Sequence, residues 1–258
     1  MPWRFVLLAL VVGACTAPPR ELPDEIGSSA KWVAPIQGGH MSHQPQGFLA
    51  VPPAGTGRGV LVLHPWWGLN ETMRAFCTQL AREGFVAFAP DLYHGKVAAT
   101  IEDAMSLVKS LDNQQATADI AAAVGFLMGR ASKGSNGIAV IGFSLGASYA
   151  LDVSVSDSQH IRAVVIFYGT SPGDYDTSKS EYLGHFADQD EHESEADVTA
   201  LEDALRAAGR PVTFYRYTGT GHWFFERDRR DAYNQQAANL AWERTLSFLR
   251  EQLPPQQP

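Results

Sequence analysis

Hydrophobic residues occur along the chain in short unbroken runs, and between these runs the apolar positions recur every three or four residues. The unbroken runs predict strands buried on both faces, and the three-to-four spacing predicts helices that pack through one side. We expect strands at 47–51, 59–63, 85–89, 138–141, 161–167, 182–187 and 212–217. We expect helices at 71–83, 104–111, 115–130, 146–155, 194–208 and 232–253.

The alternation of buried strands with helices predicts an α/β protein. Its central sheet should be mostly parallel and flanked by helices on both faces. The length of 258 residues suits one large domain. We assign that domain to residues 41–253, followed by a short tail at 254–258. In sheets of this kind the active site lies at the carboxyl ends of the strands.

The first residues are typical of a targeting segment rather than of the fold. Arg4 is followed by the apolar stretch 5–12 and by two small residues, which predicts a secretory signal peptide over residues 1–14. The apolar stretch is too short to cross a bilayer as a helix. Residues 15–40 begin with a proline-rich stretch and are predicted to be a tether and N-terminal extension.

The predicted cleavage point resembles a bacterial lipobox, with the sequence Val12-Gly13-Ala14-Cys15. The resemblance implies that Cys15 becomes the first residue and carries acyl chains on its sulfur. We therefore expect a lipoprotein on the periplasmic side of the bacterial cell envelope, held to a membrane through Cys15. Ordinary secretion, with Ala17 as the last residue removed, is the alternative.

The composition excludes several classes of protein. Apolar residues make up 45% of the chain and charged residues only 19%, which excludes an intrinsically disordered protein. The formal net charge of -8 argues against a nucleic-acid partner, which requires a basic surface. Cys77 lies on the apolar side of a predicted helix and is expected to be a buried structural thiol.

A candidate nucleophile follows the strand at 138–141. The sequence there is Gly142-Phe143-Ser144-Leu145-Gly146, a G-x-S-x-G motif between a strand and a helix. Such a tight turn exposes the serine hydroxyl and places the N–H of Leu145 where an oxyanion would form. A glycine-rich turn with a capping serine is the structural alternative.

A serine nucleophile needs a base and an acid, which in this type of fold follow it along the chain. His222 comes just after the strand at 212–217, where the base belongs. Asp188, Asp190 and Glu191 all follow the strand at 182–187. One of these carboxylates is expected to orient the imidazole, and the pattern alone does not choose among them.

Seven segments together resemble the dienelactone hydrolase family of α/β hydrolases. They are Gly47–Pro52, Leu61–Asn70, Ala89–Tyr93, Ile141–Gly146, His185–Asp190, Gly221–Phe224 and Ala241–Phe248. The resemblance implies an α/β-hydrolase fold with an eight-stranded type of sheet, and no metal or organic cofactor. Carried over by position, it implies Ser144 as nucleophile, Asp190 as acid and His222 as base. The oxyanion hole would be formed by the N–H groups of Trp66 and Leu145.

The chain departs from the family pattern at three places. The family's usual nucleophile is cysteine, and Ser144 stands here. A glutamate usually follows the position of His64, and this chain has Pro65. The dienelactone-cleaving branch holds its substrate carboxylate with two arginines, at positions that match His94 and Glu226. A serine has no thiolate to control, so the loss of the glutamate together with the cysteine is chemically consistent.

These features predict a serine esterase that cleaves small carboxylic esters or lactones. Five aromatic residues are candidates for an apolar substrate pocket: Trp66, Trp67, Tyr93, Phe143 and Trp223. A thioesterase or peptidase on the same fold is one alternative, and a non-catalytic binding lipoprotein is another. The sequence indicates no oligomeric state.

Overall fold

The computed structural model describes residues 30–33, 45–131 and 136–254. The predicted signal peptide, Cys15 and residues 255–258 of the predicted tail lie outside the described residues. The strands within them are β1 Ala30–Val33, β2 Gly47–Ala50, β3 Arg58–Leu63, β4 Phe85–Pro90, β5 Ile138–Phe143, β6 Ile161–Phe167, β7 Glu181–Ala187 and β8 Val212–Tyr217. The helices are α1 Glu71–Arg82, α2 Ile101–Ser110, α3 Asn113–Met128, α4 Leu145–Ser156, α5 Glu195–Ala207 and α6 Gln235–Gln252.

The described strands form one eight-stranded sheet in the order β1-β2-β4-β3-β5-β6-β7-β8. Six neighbouring strands, from β4 to β8, run parallel to one another, and β2 is antiparallel to both β1 and β4. The prediction of a mostly parallel sheet is therefore confirmed. The strand order brings the carboxyl ends of β3, β5, β6 and β7 side by side, and the loops that follow them meet at one edge.

Helices cover both faces of the sheet, as the alternation of elements predicts. On one face α1 and α6 pack through side chains such as Phe76 and Leu249. On the other face α3, α4 and α5 pack through Ile120, Leu151 and Leu201. Helix α2 differs from these five because Ala104 is its single fully buried residue.

Strand β1 was not predicted, and it falls within the segment assigned to the tether and N-terminal extension. It is an edge strand of four residues that pairs with β2, and Trp32 is 43% exposed. Edge strands bury little surface, so no apolar run marks this one in the sequence. Within the described residues, no helix combines the length and the hydrophobicity needed to span a membrane.

Helix α2 begins three residues earlier than its apolar spacing predicts. Thr100 accepts a hydrogen bond from the backbone N–H of Asp103 at 3.2 Å, and the Asp103 carboxylate accepts one from the N–H of Thr100 at 3.3 Å. This reciprocal capping box satisfies two backbone donors and sets the first turn. Cys77 is fully buried in α1, as predicted.

Candidate active site

Ser144 lies on a sharp turn between β5 and α4. Its backbone φ is 49°, in the left-handed region that side chains rarely adopt. The N–H of Ser144 donates a 2.9 Å hydrogen bond to the carbonyl of Phe167, at the end of the neighbouring strand β6. The strained turn is therefore held by the sheet, and the first turn of α4 starts directly behind the serine.

The two glycines of the motif are required because backbone atoms crowd the turn. A Cβ added to Gly142 would lie 2.2 Å from the carbonyl oxygen of Gly146. A Cβ added to Gly146 would lie 2.2 Å from the carbonyl oxygen of Leu63, the last residue of β3. Neither contact is possible for a real side chain. Glycine at both positions therefore allows the start of α4 to pack closely against the end of β3.

The turn brings Ser144 into a hydrogen-bonded chain with two residues that are distant in sequence. The Ser144 hydroxyl lies 3.0 Å from Nε2 of His222. Nδ1 of His222 lies 2.9 and 2.8 Å from the two carboxylate oxygens of Asp190. Because Nδ1 donates to the carboxylate, Nε2 presents its lone pair to the serine hydroxyl. This is the tautomer that a general base for Ser144 requires.

The surroundings keep His222 neutral and Asp190 charged. Burial lowers the pKa of His222, and the hydrogen bond and charge of Asp190 oppose this effect without reversing it. Burial alone would raise the pKa of Asp190, but hydrogen bonds from His222 and from the backbone N–H groups of His192 and Glu193 outweigh it. The pKa of Asp190 therefore lies below its usual range.

The geometry distinguishes the three carboxylates that the sequence left open. Asp190 alone among them contacts His222. Glu191 is exposed. Asp188 is exposed too, but it is more than a solvated turn residue, because its Oδ1 accepts hydrogen bonds from the N–H groups of Gly219 at 2.8 Å and Thr220 at 3.2 Å. Asp188 thus fastens the loop that carries His222.

The predicted oxyanion donors, Trp66 and Leu145, follow neighbouring strands. Strands β3 and β5 pair in parallel and end together, with Leu63 opposite Gly142. Leu145 is the first residue of α4, and Trp66 lies three residues beyond Leu63. Both backbone N–H groups therefore belong to the segments that surround Ser144.

His64 holds the loop that leads to Trp66. It is fully buried. Its Nε2 accepts a 3.2 Å hydrogen bond from the N–H of Leu92, so its Nδ1 donates to the carbonyl of Pro65 at 2.8 Å. The segment before Trp66 is thereby fastened to the loop after β4. The role of His64 is structural, and no pattern in the sequence indicates it.

Three tryptophans form a cluster beside the serine and histidine. The ring centroids of Trp66 and Trp67 are 5.2 Å apart, and those of Trp66 and Trp223 are 5.9 Å apart. Trp223 adjoins the imidazole of His222 at 5.1 Å. Its backbone φ of 64° lies in the left-handed region, a second strained position at this site. An unpredicted residue, His192, packs against Trp223 and His222 with both centroid distances at 4.9 Å.

Two of the aromatic residues proposed for the pocket lie elsewhere. The prediction for Phe143 is wrong, because its ring is fully buried in the core and stacks on Phe167 with centroids 4.5 Å apart. The strand direction turns its side chain inward, away from Ser144. Tyr93 packs against His64 and lines a separate cavity of 240 Å³ next to α2 and α3.

A buried glutamate was not predicted as part of this region. Glu226 is fully buried and accepts a 2.9 Å hydrogen bond from the hydroxyl of Tyr168, whose ring lies 4.8 Å from that of His222. Burial, together with the charge of Asp228, raises the pKa of Glu226 to about 8. Glu226 is therefore a neutral acid near pH 7. Its position within an apolar Trp-Phe-Phe-Glu run is the one signal that could have indicated this.

We expect Glu226→Gln to make the protein more stable at pH 8 than the wild type, with a smaller gain at pH 5. The folded state keeps the proton on Glu226 up to about pH 8, whereas the unfolded state releases it near 4.5. The contribution of this group to the free energy of unfolding is complete below pH 4.5. It falls as the pH rises towards 8, by at most ~5 kcal/mol. Thermal unfolding of both proteins at pH 5 and pH 8 measures the difference. An equal shift in Tm at both values would contradict the neutral state of Glu226.

The described residues show no metal site: no three His, Cys, Asp or Glu side chains among them converge as ligands for an ion.

The α/β-hydrolase class is defined by a mostly parallel sheet, here of eight strands. At its carboxyl edge it has a serine on a sharp strand-to-helix turn, a histidine and an aspartate. Residues 46–253 match the dienelactone hydrolase family. The chain belongs to this family, as its sequence segments predict, and it is a carboxylic ester hydrolase.

Two relatives agree with this membership, and a solved structure is similar in fold. The chain is 32% identical to Protein usf of Aquifex pyrophilus, over 81% of this chain and 94% of the relative. It is 28% identical to a protein of Aquifex aeolicus (strain VF5) named "Putative carboxymethylenebutenolidase", over the same shares of the two chains. The fold is similar to that of a crystal structure named "Putative Dienelactone Hydrolase", from Klebsiella pneumoniae subsp. pneumoniae MGH 78578. In that comparison the TM-score is 0.74, the identity is 22%, and 86% of this chain and 98% of the other are covered.

Proposed function

We propose that the protein cleaves small carboxylic esters or lactones with Ser144 as nucleophile and through an acyl-enzyme. The observation that carries this proposal is the hydrogen-bonded chain from the Ser144 hydroxyl through His222 to Asp190. A serine hydroxyl is a weak nucleophile near neutral pH, and a neutral imidazole 3.0 Å away can accept its proton as it attacks.

In the first half of the reaction, Ser144 Oγ attacks the ester carbonyl carbon and His222 Nε2 takes the hydroxyl proton. The carbonyl oxygen becomes an oxyanion, which the N–H groups of Leu145 and Trp66 stabilise. As the tetrahedral intermediate collapses, the bond to the leaving oxygen breaks and His222 gives its proton to that oxygen. Asp190 stabilises the imidazolium that exists between these two transfers.

In the second half, water cleaves the acyl-enzyme. His222 takes a proton from the water, whose oxygen attacks the acyl carbon and forms a second oxyanion in the same place. Collapse of this intermediate breaks the bond to Ser144 Oγ, which recovers its proton from His222. For a lactone, the leaving oxygen stays attached to the acyl group, and the product is one hydroxy acid.

Uncharged acyl groups are the substrates that suit the site. The rings of His192 and Trp223 pack against the imidazole of His222. The ring of Trp66 contacts both of them, and Trp67 completes the aromatic cluster. Glu226 replaces an arginine that the dienelactone-cleaving branch uses for its substrate carboxylate, and it is fully buried. His94 stands at the position of the other arginine, so a dienelactone carboxylate would lack both of its expected arginine partners.

A serine-directed phosphonate ester and a panel of substrates test this function. We expect the phosphonate to label Ser144 and to abolish turnover of p-nitrophenyl esters of short acids. Lactones, thioesters and peptides in the same panel separate the alternatives, and preferential cleavage of thioesters or peptides would replace the esterase assignment. A non-catalytic binding lipoprotein would show neither label nor turnover.

We expect the acid limb of kcat/KM to have its midpoint below pH 6.5. His222 must be unprotonated to act as base, and its pKa lies below the ordinary value of 6.5. The neighbouring His192 contributes to the lowering. His192→Gln should therefore move the midpoint upward, because it removes a cation-forming group while keeping the backbone N–H that serves Asp190. A wild-type midpoint above pH 6.5 would contradict this. It would show that the hydrogen bond and charge of Asp190 raise the pKa of His222 by more than burial lowers it.

We also propose that the protein is a lipoprotein of the bacterial cell envelope, anchored on the periplasmic side through Cys15. The support is the Val12–Cys15 pattern after a short apolar run. We expect intact-mass measurement of the native protein to show a chain that begins at Cys15 and carries acyl groups. An unmodified chain that begins at Pro18 would contradict the anchor and indicate simple secretion.

A further inference from the structure

Helix α2 presents an unusual apolar surface to solvent. Six large hydrophobic side chains are exposed among the described residues, and four of them fall between positions 97 and 108. Val97 is 52% exposed, Ile101 46%, Met105 47% and Val108 36%. At about 100° per residue, the last three lie within an arc of about 60° on one side of the helix. We call these four residues the α2 surface.

The α2 surface is continuous with the walls of the candidate active site. Ile101 lines a cavity of 570 Å³ together with Trp67 and Trp223. The other side of α2 buries Ala104, which packs in one cluster with Trp67, and the partly buried Leu107 and Trp223 complete that cluster. Trp223 adjoins the imidazole of His222 at 5.1 Å. An apolar molecule on the α2 surface would therefore be next to the aromatic side of the site.

Charged side chains border the α2 surface. Lys96 precedes Val97, and Lys109 follows Val108, and both are exposed. Two acids of the first turn, Glu102 and Asp103, are exposed as well and balance the two lysine charges, and Asp103 also forms the capping box with Thr100. A short helix with an exposed apolar side flanked by lysines is the pattern of helices that lie in a membrane interface.

The predicted anchor lies within reach of this surface. Fourteen residues separate Cys15 from Ala30, the first residue of β1. At about 3.3–3.6 Å per residue they span at most about 50 Å. Through β2, Ala30 is level with Ala87 of β4, three residues before Pro90 at the edge where the site lies. Helix α2 follows β4, so Ala30, to which the predicted tether leads, lies in the half of the sheet from which the chain continues into α2.

We propose that the α2 surface rests on the lipid bilayer to which Cys15 is anchored, so that amphiphilic esters pass from the bilayer into the site. This inference rests on the proposed esterase function and lipid anchor. It narrows the substrate class to esters with an apolar acyl chain that partition into lipid. The chain then needs no spanning helix to act at the membrane, because the acyl groups hold it there and α2 sets its orientation.

Fluorescence quenching by lipid tests the contact directly. The full chain with Met105→Cys, purified with its Cys15 modification, is labelled with bimane and reconstituted in phosphatidylethanolamine/phosphatidylglycerol vesicles. Cys77 is fully buried and does not react. Lipids brominated on their acyl chains should quench the label by about half or more, because an interfacial helix lies within about 5–10 Å of the acyl boundary. The matched control is Leu240→Cys on α6, where Leu240 is 39% exposed.

Each result of the quenching experiment has a definite meaning. Quenching at position 105 and not at 240 supports the proposal. Equal quenching at both positions overturns it, because the protein then has no fixed orientation. An unquenched label at 105 on vesicle-bound protein also overturns it, since another protein or another segment of this chain covers α2. Protein that does not sediment with the vesicles shows that the anchor is absent, and it overturns the proposal as well.

Turnover provides a second, independent measurement. The double variant Met105→Ser/Val108→Ser should lose about tenfold in hydrolysis of p-nitrophenyl palmitate held in vesicles, and it should keep its rate on p-nitrophenyl acetate in water. Equal loss on both substrates would mean that the two side chains support the site rather than contact lipid. If neither ester is cleaved by the wild type and Ser144 takes no phosphonate label, the proposed function fails, whereas lipid quenching still reports on α2.

Discussion

Ser144→Ala should lower the turnover of a small activated ester by at least about 10⁴-fold, because the variant has no atom to form the acyl-enzyme. The fold should be unchanged. Alanine keeps the Cβ at this position, so the strain of a φ of 49° is the same in both proteins, and the hydrogen bond from the N–H of residue 144 to Phe167 remains. Steady-state kinetics and thermal unfolding of the purified variant measure the two quantities.

Ser148→Ala is the matched control for this variant. Ser148 lies one turn further along α4 and donates its hydroxyl to the carbonyl of Thr170 at 2.8 Å, away from His222. Its loss should change turnover by less than about tenfold. If Ser144→Ala keeps more than a tenth of the wild-type activity, Ser144 is not the nucleophile, and the proposed mechanism is wrong.

Asp190→Asn should lower turnover by about 10³–10⁴-fold. The amide of asparagine would donate a hydrogen bond to Nδ1 of His222, which would then carry its proton on Nε2. That proton would point at the Ser144 hydroxyl, so the imidazole could not accept from it. Binding should change little, because Asp190 lies behind the histidine; the loss is therefore expected in kcat rather than in KM.

Two neighbouring carboxylates provide the controls. Glu191→Gln should stay within about tenfold, since its side chain is exposed. Asp188→Asn should also stay within about tenfold, because an asparagine oxygen can still accept from the N–H groups of Gly219 and Thr220. A large loss for Asp188→Asn with a small loss for Asp190→Asn would reverse the assignment of the acid.

The strands of the core were the most predictable elements of the fold. The apolar runs at 59–63 and 138–141 lie within β3 and β5, because a strand buried on both faces must be apolar throughout. The helix predicted at 194–208 matches α5 to within one residue at each end. Strand β1 was not predicted because its four residues form no apolar run. Its hydrogen bonds to β2 make it a strand.

The site was predictable in part. The turn at Gly142–Gly146 that carries Ser144, and the position of His222 after β8, each depend on one short segment of the chain. The structure has both at the predicted positions. The choice of Asp190 came from family resemblance, and its 2.8 Å contact with His222 is a matter of how two loops meet. Phe143 was misplaced because its residue type fits a pocket equally well as a core.

By itself, the sequence determined the order of the elements, the parallel sheet and the elbow, because these depend on apolar periodicity and on glycines that are close in the chain. Only the tertiary structure decided that Asp190 faces the imidazole, that Glu226 is a buried neutral acid, and that α2 keeps an apolar side in solvent. These properties depend on which side chains meet across the fold and on how far each is removed from water. Residue spacing carries no information on either, since both are set by contacts between segments far apart in the chain.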